Sequence, residues 1–252
     1  MFNNSNASSR PNPPLLINLW SSPRNISTAL MYSFAQRSDS AVFDEPLYAH
    51  YLTKTDSNAY HPGTKEILQS QDNDGEQVVN NILLTEHKKS VVFFKQMTHH
   101  LIHLNRDFLF KMHNVLLIRD PRRIIASYAK VVSNPTIQDV GIEMQYELFL
   151  ELSKADKLTA IIDTKQLLLN PEKILKLLCD KLNIPFEKQM LSWPKSARPE
   201  DGVWAKYWYK NVHQSSEFLK YEEKVVELSP QLEKLAESCM PFYEKLLGFV
   251  LK

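Results

Sequence analysis

Two stretches of this chain set guanidinium and hydroxyl groups where a strand gives way to a helix. The first is Pro23-Arg24-Asn25-Ile26-Ser27-Thr28. The apolar run Leu15-Leu16-Ile17-Asn18-Leu19-Trp20 ahead of it has the length of a buried strand, and Ala29 to Arg37 behind it reads as a helix. A polar turn between strand and helix aims free backbone N–H groups and the positive helix end at an anion. Arg24 adds a fixed charge, and Ser27 and Thr28 add hydroxyls that can also cap the helix. The second stretch is Arg119-Asp120-Pro121-Arg122-Arg123-Ile124-Ile125-Ala126-Ser127, which follows Val115 to Ile118, the clearest strand in the chain. Asp120 suits an N-cap and Pro121 a first helical position. Arg119 then leaves the strand while Ser127 lies two turns into the helix, so both donors reach one anion between them. Taken alone, each stretch also fits an ordinary capped turn with solvated arginines. Neither contains G-x-x-x-x-G-K-[ST], so the Gly-rich cradle and Lys of a nucleoside-triphosphate loop are missing.

The elements that must hold these residues follow from the apolar pattern. Ala41 to Phe43 is a second short strand, ending in Asp44-Glu45-Pro46; Val91 to Phe94 is a third, ending at Lys95; Ala160 to Ile162 is a fifth. Helices are expected over Glu76 to His87, from Pro121 through Ile124, Ile125, Tyr128 and Val131, over 138–155, from Asn170-Pro171 to Leu182, and from Ser229-Pro230 to near Gly248. Residues 99–112 read as a mixed, helical crossover. Residues 53–75, polar and carrying Pro62, Gly63 and Gly75, read as a long surface loop of lid length. Residues 193–212 are rich in Trp, Tyr, Pro and charge without a clean period. Strands alternating with helices predict an α/β fold in three layers, a mostly parallel five-stranded sheet with helices on both faces. Ligands of such sheets sit at the carboxyl ends of strands. Arg24, Glu45, Lys95 and Arg119 all fall at those ends, so they are expected to converge on one edge.

Composition sets the outer bounds. A chain of 252 residues with 43% hydrophobic content supports one large α/β domain, 15–252, behind a loose, flexible polar tail, 1–14. A formal charge of +1 gives no general attraction to nucleic acid or to an anionic membrane, so a basic site must be local. The two cysteines, Cys179 and Cys239, fall in amphipathic helices and read as reduced core residues. The first residues lack a basic segment followed by an apolar one, and no run of about 18 apolar residues occurs. A cytoplasmic protein without membrane or nucleic-acid partners is the expectation. The oligomeric state stays open, a homodimer included.

The two stretches together resemble the sulfotransferase family, whose fold is related to that of P-loop NTPases. Members hold the 5′-phosphosulfate of 3′-phosphoadenosine 5′-phosphosulfate in a strand-loop-helix motif of the form Pro-Arg-Ser-x-Ser/Thr-Thr or Pro-Lys-Ser-Gly-Thr-Thr. Pro23 to Thr28 stand in that place. They hold its 3′-phosphate with the Arg of an Arg-(Asn/Asp)-Pro segment and a Ser eight residues on, matched by Arg119 and Ser127. The resemblance implies cofactor contacts from Arg24, Asn25, Ile26, Ser27, Thr28, Arg119 and Ser127. The family's C-terminal Gly-x-x-Gly-x-x-Lys loop is absent; Trp193 to Lys206 occupies its place, and Arg198, or Lys206, is the substitute phosphate ligand it offers. Nearer similarity lies with bacterial and plant sulfotransferase-like proteins, some fused to aminotransferase-like domains.

The implied chemistry is transfer of a sulfuryl group from 3′-phosphoadenosine 5′-phosphosulfate to a hydroxyl or amine of a small acceptor, leaving adenosine 3′,5′-bisphosphate, with no metal. Arg24 and Lys95 would stabilise the spreading charge. The base that takes the acceptor proton is Glu45 or His99, Glu45 being favoured because other members place a glutamate after the second strand. His99, His100 and His103 have helical spacing, but a surface helix explains them better than a metal does. Trp20, Tyr48, Tyr51, Trp204, Trp208 and Tyr209 are candidates for an acceptor pocket, Trp20 foremost. Two other functions remain open: a catalytically silent nucleotide-binding or regulatory module, and a degenerate nucleotide kinase.

Overall fold

The computed structural model describes residues 13–56, 61–223 and 225–252. Five strands form one sheet: β1 (Leu15–Ser21), β2 (Ser40–Asp44), β3 (Val91–Met97), β4 (His113–Ile118) and β5 (Leu158–Asp163), in the order β2-β3-β1-β4-β5. Every pairing is parallel. The chain leaves β1 toward one edge and β4 toward the other, so the strand order reverses between those two neighbours, and a crevice opens at their carboxyl ends.

The helices are α1 (Ser27–Phe34), α2 (Tyr48–Lys54), α3 (Thr64–Ser70), α4 (Gly75–Val78), α5 (Pro121–Tyr128), α6 (Ile137–Val140), α7 (Ile142–Lys154), α8 (Thr164–Leu169), α9 (Pro171–Lys181), α10 (Ala205–Trp208), α11 (Lys210–His213) and α12 (Pro230–Leu247). Period-2 alternation sends strand side chains to two cores. Ile17, Leu19, Phe93, Leu117 and Ile162 pack under α1 and α9 on one face, while Trp20, Phe94, Leu116, Ile118 and Ile161 pack under α5, α7 and α12 on the other. The three-layer α/β/α arrangement is thus the one the strand and helix alternation predicts. Cys179 and Cys239 are buried and free, one in each core.

Helix starts obey their capping residues. Asp120, Asn170 and Ser229 each accept a backbone N–H of the first turn, with Pro at the first helical position behind them. Several expectations give way. The helix over Glu76 to His87 is one α-turn, α4, running into a π-helical turn, Val79–Leu83. Residues 99–112 hold two 3-10 turns, Thr98–His100 and Asp107–Lys111, because apolar residues there follow no helical period. The stretch 138–155 is split by Gly141, whose φ of 71° ends α6 and caps α7. The long loop over 53–75 contains α3, and its positions 57–60 lie outside the described residues, as does the tail except for 13 and 14. Among the described residues no helix is long and apolar enough to cross a membrane.

Candidate active site

The turn after β1 is shaped by backbone strain. Arg24 and Ile26 both take positive φ, 59° and 46°, with Asn25 between them on the negative side. Alternation of that kind turns successive N–H groups toward a common point. A branched Ile in this region is costly, of order 1–2 kcal/mol, so the surroundings must over-determine it. They do: the Asn25 side chain donates to the Leu117 carbonyl of β4 and to Ser22, and accepts from the Thr164 hydroxyl of α8. Asn25 is buried, so its side chain braces the loop and leaves only its backbone to face a ligand. Ile26, not Ser27 or Thr28, stands at the N-cap of α1, and no side chain caps that helix. The expected hydroxyl cap is absent because the left-handed turn carries both residues into the first helical turn. Their hydroxyls and the free N–H groups face a cavity of about 1140 Å³.

Across that cavity, α5 and the end of β4 supply the second cluster. Arg24 Nε donates to Ser127 Oγ at 3.0 Å, and Arg119 donates to the Arg24 carbonyl. The two turns therefore touch, and the guanidinium groups of Arg24 and Arg119 share one face. The Nε of Arg119 is buried without a hydrogen-bond partner. Burial pulls the pKa of both arginines below the usual guanidinium range, and at Arg119 the neighbouring Arg123 and Arg24 add to it. Arg123 and Lys165 both lie against the face of Tyr221, 4.8 and 5.1 Å from its ring centre, at the outer wall.

The other end of the cavity is organised by Lys95. It does not end its strand as expected: β3 runs on to Met97, so Lys95 is an internal, fully buried residue. Its Nζ donates to Asp44 at 2.8 Å, to Tyr209 Oη at 2.6 Å and to Glu45. Tyr209 donates in turn to Asp44, whose other contact is the Gly202 N–H at 3.0 Å. Burial alone would strip the proton from Lys95; Asp44 and then Glu45 more than offset it and raise its pKa. Burial lifts the Glu45 carboxyl to about 6, against the pull of Lys95. Glu45 itself sits at φ 43°, its N–H bound to the Lys95 carbonyl at 2.8 Å. At neutral pH it is a carboxylate poised near the value a general base needs.

His99 also lines this end, buried on a 3-10 turn rather than solvated at a helix start. Burial, helped by His61, drives its pKa down to about 3. The helical spacing of His99, His100 and His103 is not realised: the first two are buried and His103 is exposed with φ 49°. Among the described residues no three His, Cys, Asp or Glu side chains are grouped to hold a metal ion.

Of the aromatic candidates, Tyr48, Trp204, Trp208 and Tyr209 line the cavity. Trp20 is core: it is fully buried and its Nε1 donates to Asn114 at 3.0 Å. Tyr51 stands behind His99 and His100, out of the lining. Arg198 is not brought to the cavity either. It pairs with Glu200 at 3.2 Å and covers the Tyr32 ring at 5.5 Å, while the exposed Lys206 pairs with Glu66 at 2.6 Å. His61 and Tyr221 went unmarked in the sequence, and Asp44, His100 and Arg123 were given no part in a binding or catalytic site. Only Asp44 had a signal there, since parallel register sets it opposite Lys95.

The sulfotransferase domain family model matches residues 15–248, nearly the whole described chain. Two curated relatives from Arabidopsis thaliana are named branched-chain-amino-acid aminotransferase-like protein 2 and protein 1. They are 37% identical over 233 residues and 36% identical over 238 residues, covering 92% and 94% of this chain. Those alignments cover 41% and 42% of the relatives, so the chain spans about two fifths of their length. Among solved structures, the sulfotransferase domain of the Synechococcus PCC 7002 olefin synthase aligns with TM-score 0.56 at 18% identity over 97% of this chain and 98% of that one. The sulfotransferase domain of the curacin biosynthetic pathway aligns at 0.54 and 18%, covering 95% and 99% of the two chains. A sulfotransferase from Alicyclobacillus acidocaldarius aligns at 0.53 and 11%, covering 96% and 98%. At these identities the structural likeness speaks for the fold, which is the P-loop-like sulfotransferase fold.

Proposed function

The chain belongs to the sulfotransferase family, and from that premise we propose that it moves a sulfuryl group from 3′-phosphoadenosine 5′-phosphosulfate to a small acceptor. The observation that carries this reading is the single cavity in which the turns after β1 and β4 meet. Arg24, Ser127 and the uncapped α1 lie together there, beside an Arg119 whose buried Nε lacks a partner. A cavity of about 1140 Å³ has room for a doubly phosphorylated nucleoside and an acceptor together. The N–H groups of 24–28 and the Arg24 guanidinium would hold the 5′ end, and Arg119 with Ser127 the 3′-phosphate.

The donor supplies an activated sulfur: as the acceptor oxygen bonds to it, the bond to the bridging phosphate oxygen breaks, and adenosine 3′,5′-bisphosphate leaves with the electron pair. The chain's own residues supply alignment and charge. Glu45 takes the acceptor proton onto its carboxylate. Lys95, held charged by Asp44, fixes the Glu45 carboxylate. Arg24 and the α1 N-terminus stabilise the charge on the departing phosphate.

The test is a thermal-shift titration. Adenosine 3′,5′-bisphosphate should stabilise the protein at micromolar-range concentration, and AMP, lacking the 3′-phosphate, should do little. Equal shifts with both nucleotides would remove the case for two anion sites on one ligand. Stronger stabilisation by ATP with Mg²⁺ would favour a kinase instead. Tight bisphosphate binding without turnover on any acceptor would leave a silent nucleotide-binding module.

A further inference from the structure

The end of the cavity beyond Glu45 is walled by flat rings, and three imidazole nitrogens among them lack a hydrogen-bond partner. His100 is fully enclosed, stacked between Tyr48 at 4.9 Å and Tyr51 at 4.8 Å, with interplanar angles of 22° and 28°. Both of its ring nitrogens lack a hydrogen-bond partner, and so does Nδ1 of His99. Trp204 closes the wall edge-on to Tyr48 at 5.1 Å. An imidazole nitrogen shut away from water without a partner is costly, and such groups ordinarily find one. Three of them beside one cavity mark donors and acceptors held in readiness for a ligand.

The charges at this end narrow what that ligand is. Lys95 is fully engaged by Asp44, Glu45 and Tyr209, so it leaves an incoming anion no free cation among the residues just named, and Glu45 repels one. A protonated amine would pair with Glu45 in a form that has no lone pair to attack sulfur. Burial also keeps the imidazoles of His61, His99 and His100 uncharged at neutral pH. Resting on the sulfotransferase reading of the site, we infer that the acceptor is an uncharged molecule with a flat apolar face and two or more hydroxyls. One hydroxyl reacts beside Glu45 and another is bound by His99 and His100. A dihydroxylated aromatic and a sugar glycoside share this chemistry.

Matched ligands separate the classes. Hydroxybenzyl alcohol, methyl glucoside, 4-hydroxybenzoate and tyramine are titrated by calorimetry into the full chain, with and without saturating adenosine 3′,5′-bisphosphate. At least one neutral compound should bind tenfold or more tightly than both charged ones, and which neutral compound wins names the source. His100→Phe keeps the stack and removes both nitrogens, so it should weaken neutral binding about fivefold while leaving bisphosphate affinity unchanged. His99→Phe should act in the same direction and serves if the first variant does not fold. Charged compounds binding as tightly as neutral ones, no binding by any of the four, or an unaltered affinity in the folded variants would overturn the inference. Failure of the bisphosphate to bind is read in the same titrations and counts instead against the sulfotransferase reading, since selectivity among the four is measured on the free protein as well.

Discussion

The two ends of the cavity use opposite means to receive a ligand. The end proposed for the nucleotide is cationic and assembled from backbone: a strained turn with two left-handed residues, an uncapped helix, and arginines that lean on one another. Its strain and its crowded charge persist because Asn25 pins the loop to β4 and α8. The end proposed for the acceptor is closed and close to neutral. Its one cation is balanced by two carboxylates, its phenol is shared among them, and its imidazoles are uncharged. On the proposed reading the first end receives charge it cannot supply, and the second supplies a base and excludes charge. A site divided in this way separates binding from chemistry, so substitutions at the two ends should fail differently.

The largest effect is expected at the base. Glu45→Gln should lower kcat by roughly 10²- to 10⁴-fold, the usual worth of a positioned general base, while bisphosphate affinity changes less than about twofold. Steady-state rates with labelled donor, and a direct binding titration, give both numbers. Near-normal turnover by this variant, with a comparable loss in His99→Phe, would transfer the role of base to the imidazole.

At the nucleotide end the pattern should invert. Arg119→Ala removes charged hydrogen bonds of about 1.5–3 kcal/mol, so the bisphosphate should bind roughly ten- to a hundredfold more weakly, with AMP nearly unaffected. Loss of affinity for both nucleotides alike would mean that Arg119 holds the loop through the Arg24 carbonyl and not the 3′-phosphate.

Acid should find the acceptor end first. His61 and His99 are held near 4 and 3, and His100 well below its ordinary value of 6.5, so all three are neutral in the folded protein. The unfolded chain takes up these protons below about 6.5, so stability present above that value is lost as pH falls. His61 and His99 each cost on the order of 1–2 kcal/mol by about pH 5, and His100 acts in the same direction. Glu45 has the opposite sign: its folded carboxyl, raised to about 6, binds its proton before the unfolded one does at 4.5, which adds stability on acidification. Four lowered imidazoles, His113 included, against the raised carboxyls of Glu45 and Asp163 predict a net fall in Tm between about pH 7 and pH 5. The fall should be smaller in His100→Phe, and a scan of both proteins at the two values measures it. An acid-insensitive Tm would mean that these imidazoles are solvated and that the end is not closed.

What the chain made readable follows the same division. The proposed nucleotide end is contiguous: each cluster lies within a few residues of one strand end, so residue type and spacing were enough to single out Arg24, Arg119 and Ser127, which the fold sets in one cavity. The five strands were readable because buried parallel strands are short apolar runs, and the Asp-Pro, Asn-Pro and Ser-Pro pairs marked helix starts. The acceptor end is built from distant segments. Lys95 and Tyr209 are 114 positions apart, and Lys95 and Asp44 are 51, joined by sheet register that no local period reveals. The stretch around α4 and the 3-10 turns was misread because these elements are shorter than the windows in which a helical period can be counted. Trp20 was misplaced for a related reason: its position beside the loop was plain, but which face of β1 it used depended on a neighbour, Asn114, 94 residues away.

The smallest effect is expected at Arg198, and it tests the division most directly. A basic residue in the segment standing where the family keeps its phosphate-binding loop is an obvious ligand by sequence. In the structure its guanidinium is turned to Glu200 and the Tyr32 ring, and its backbone N–H donates to Asp201 at 2.8 Å. Asp201 accepts from the Tyr32 hydroxyl and meets His213 at 3.0 Å, and the next residue, Gly202, donates to Asp44. Residues 198–202 therefore brace Asp44 from behind and belong to the acceptor end. A half-exposed ion pair of this kind contributes at most about 1 kcal/mol. Arg198→Ala should accordingly leave bisphosphate affinity within about twofold and cost under about 1 kcal/mol in denaturant unfolding. A loss of bisphosphate affinity matching that of Arg119→Ala would show that the segment swings onto the 3′-phosphate when ligand binds. The two ends would then share a part, and substitutions at one could no longer be read as silent at the other.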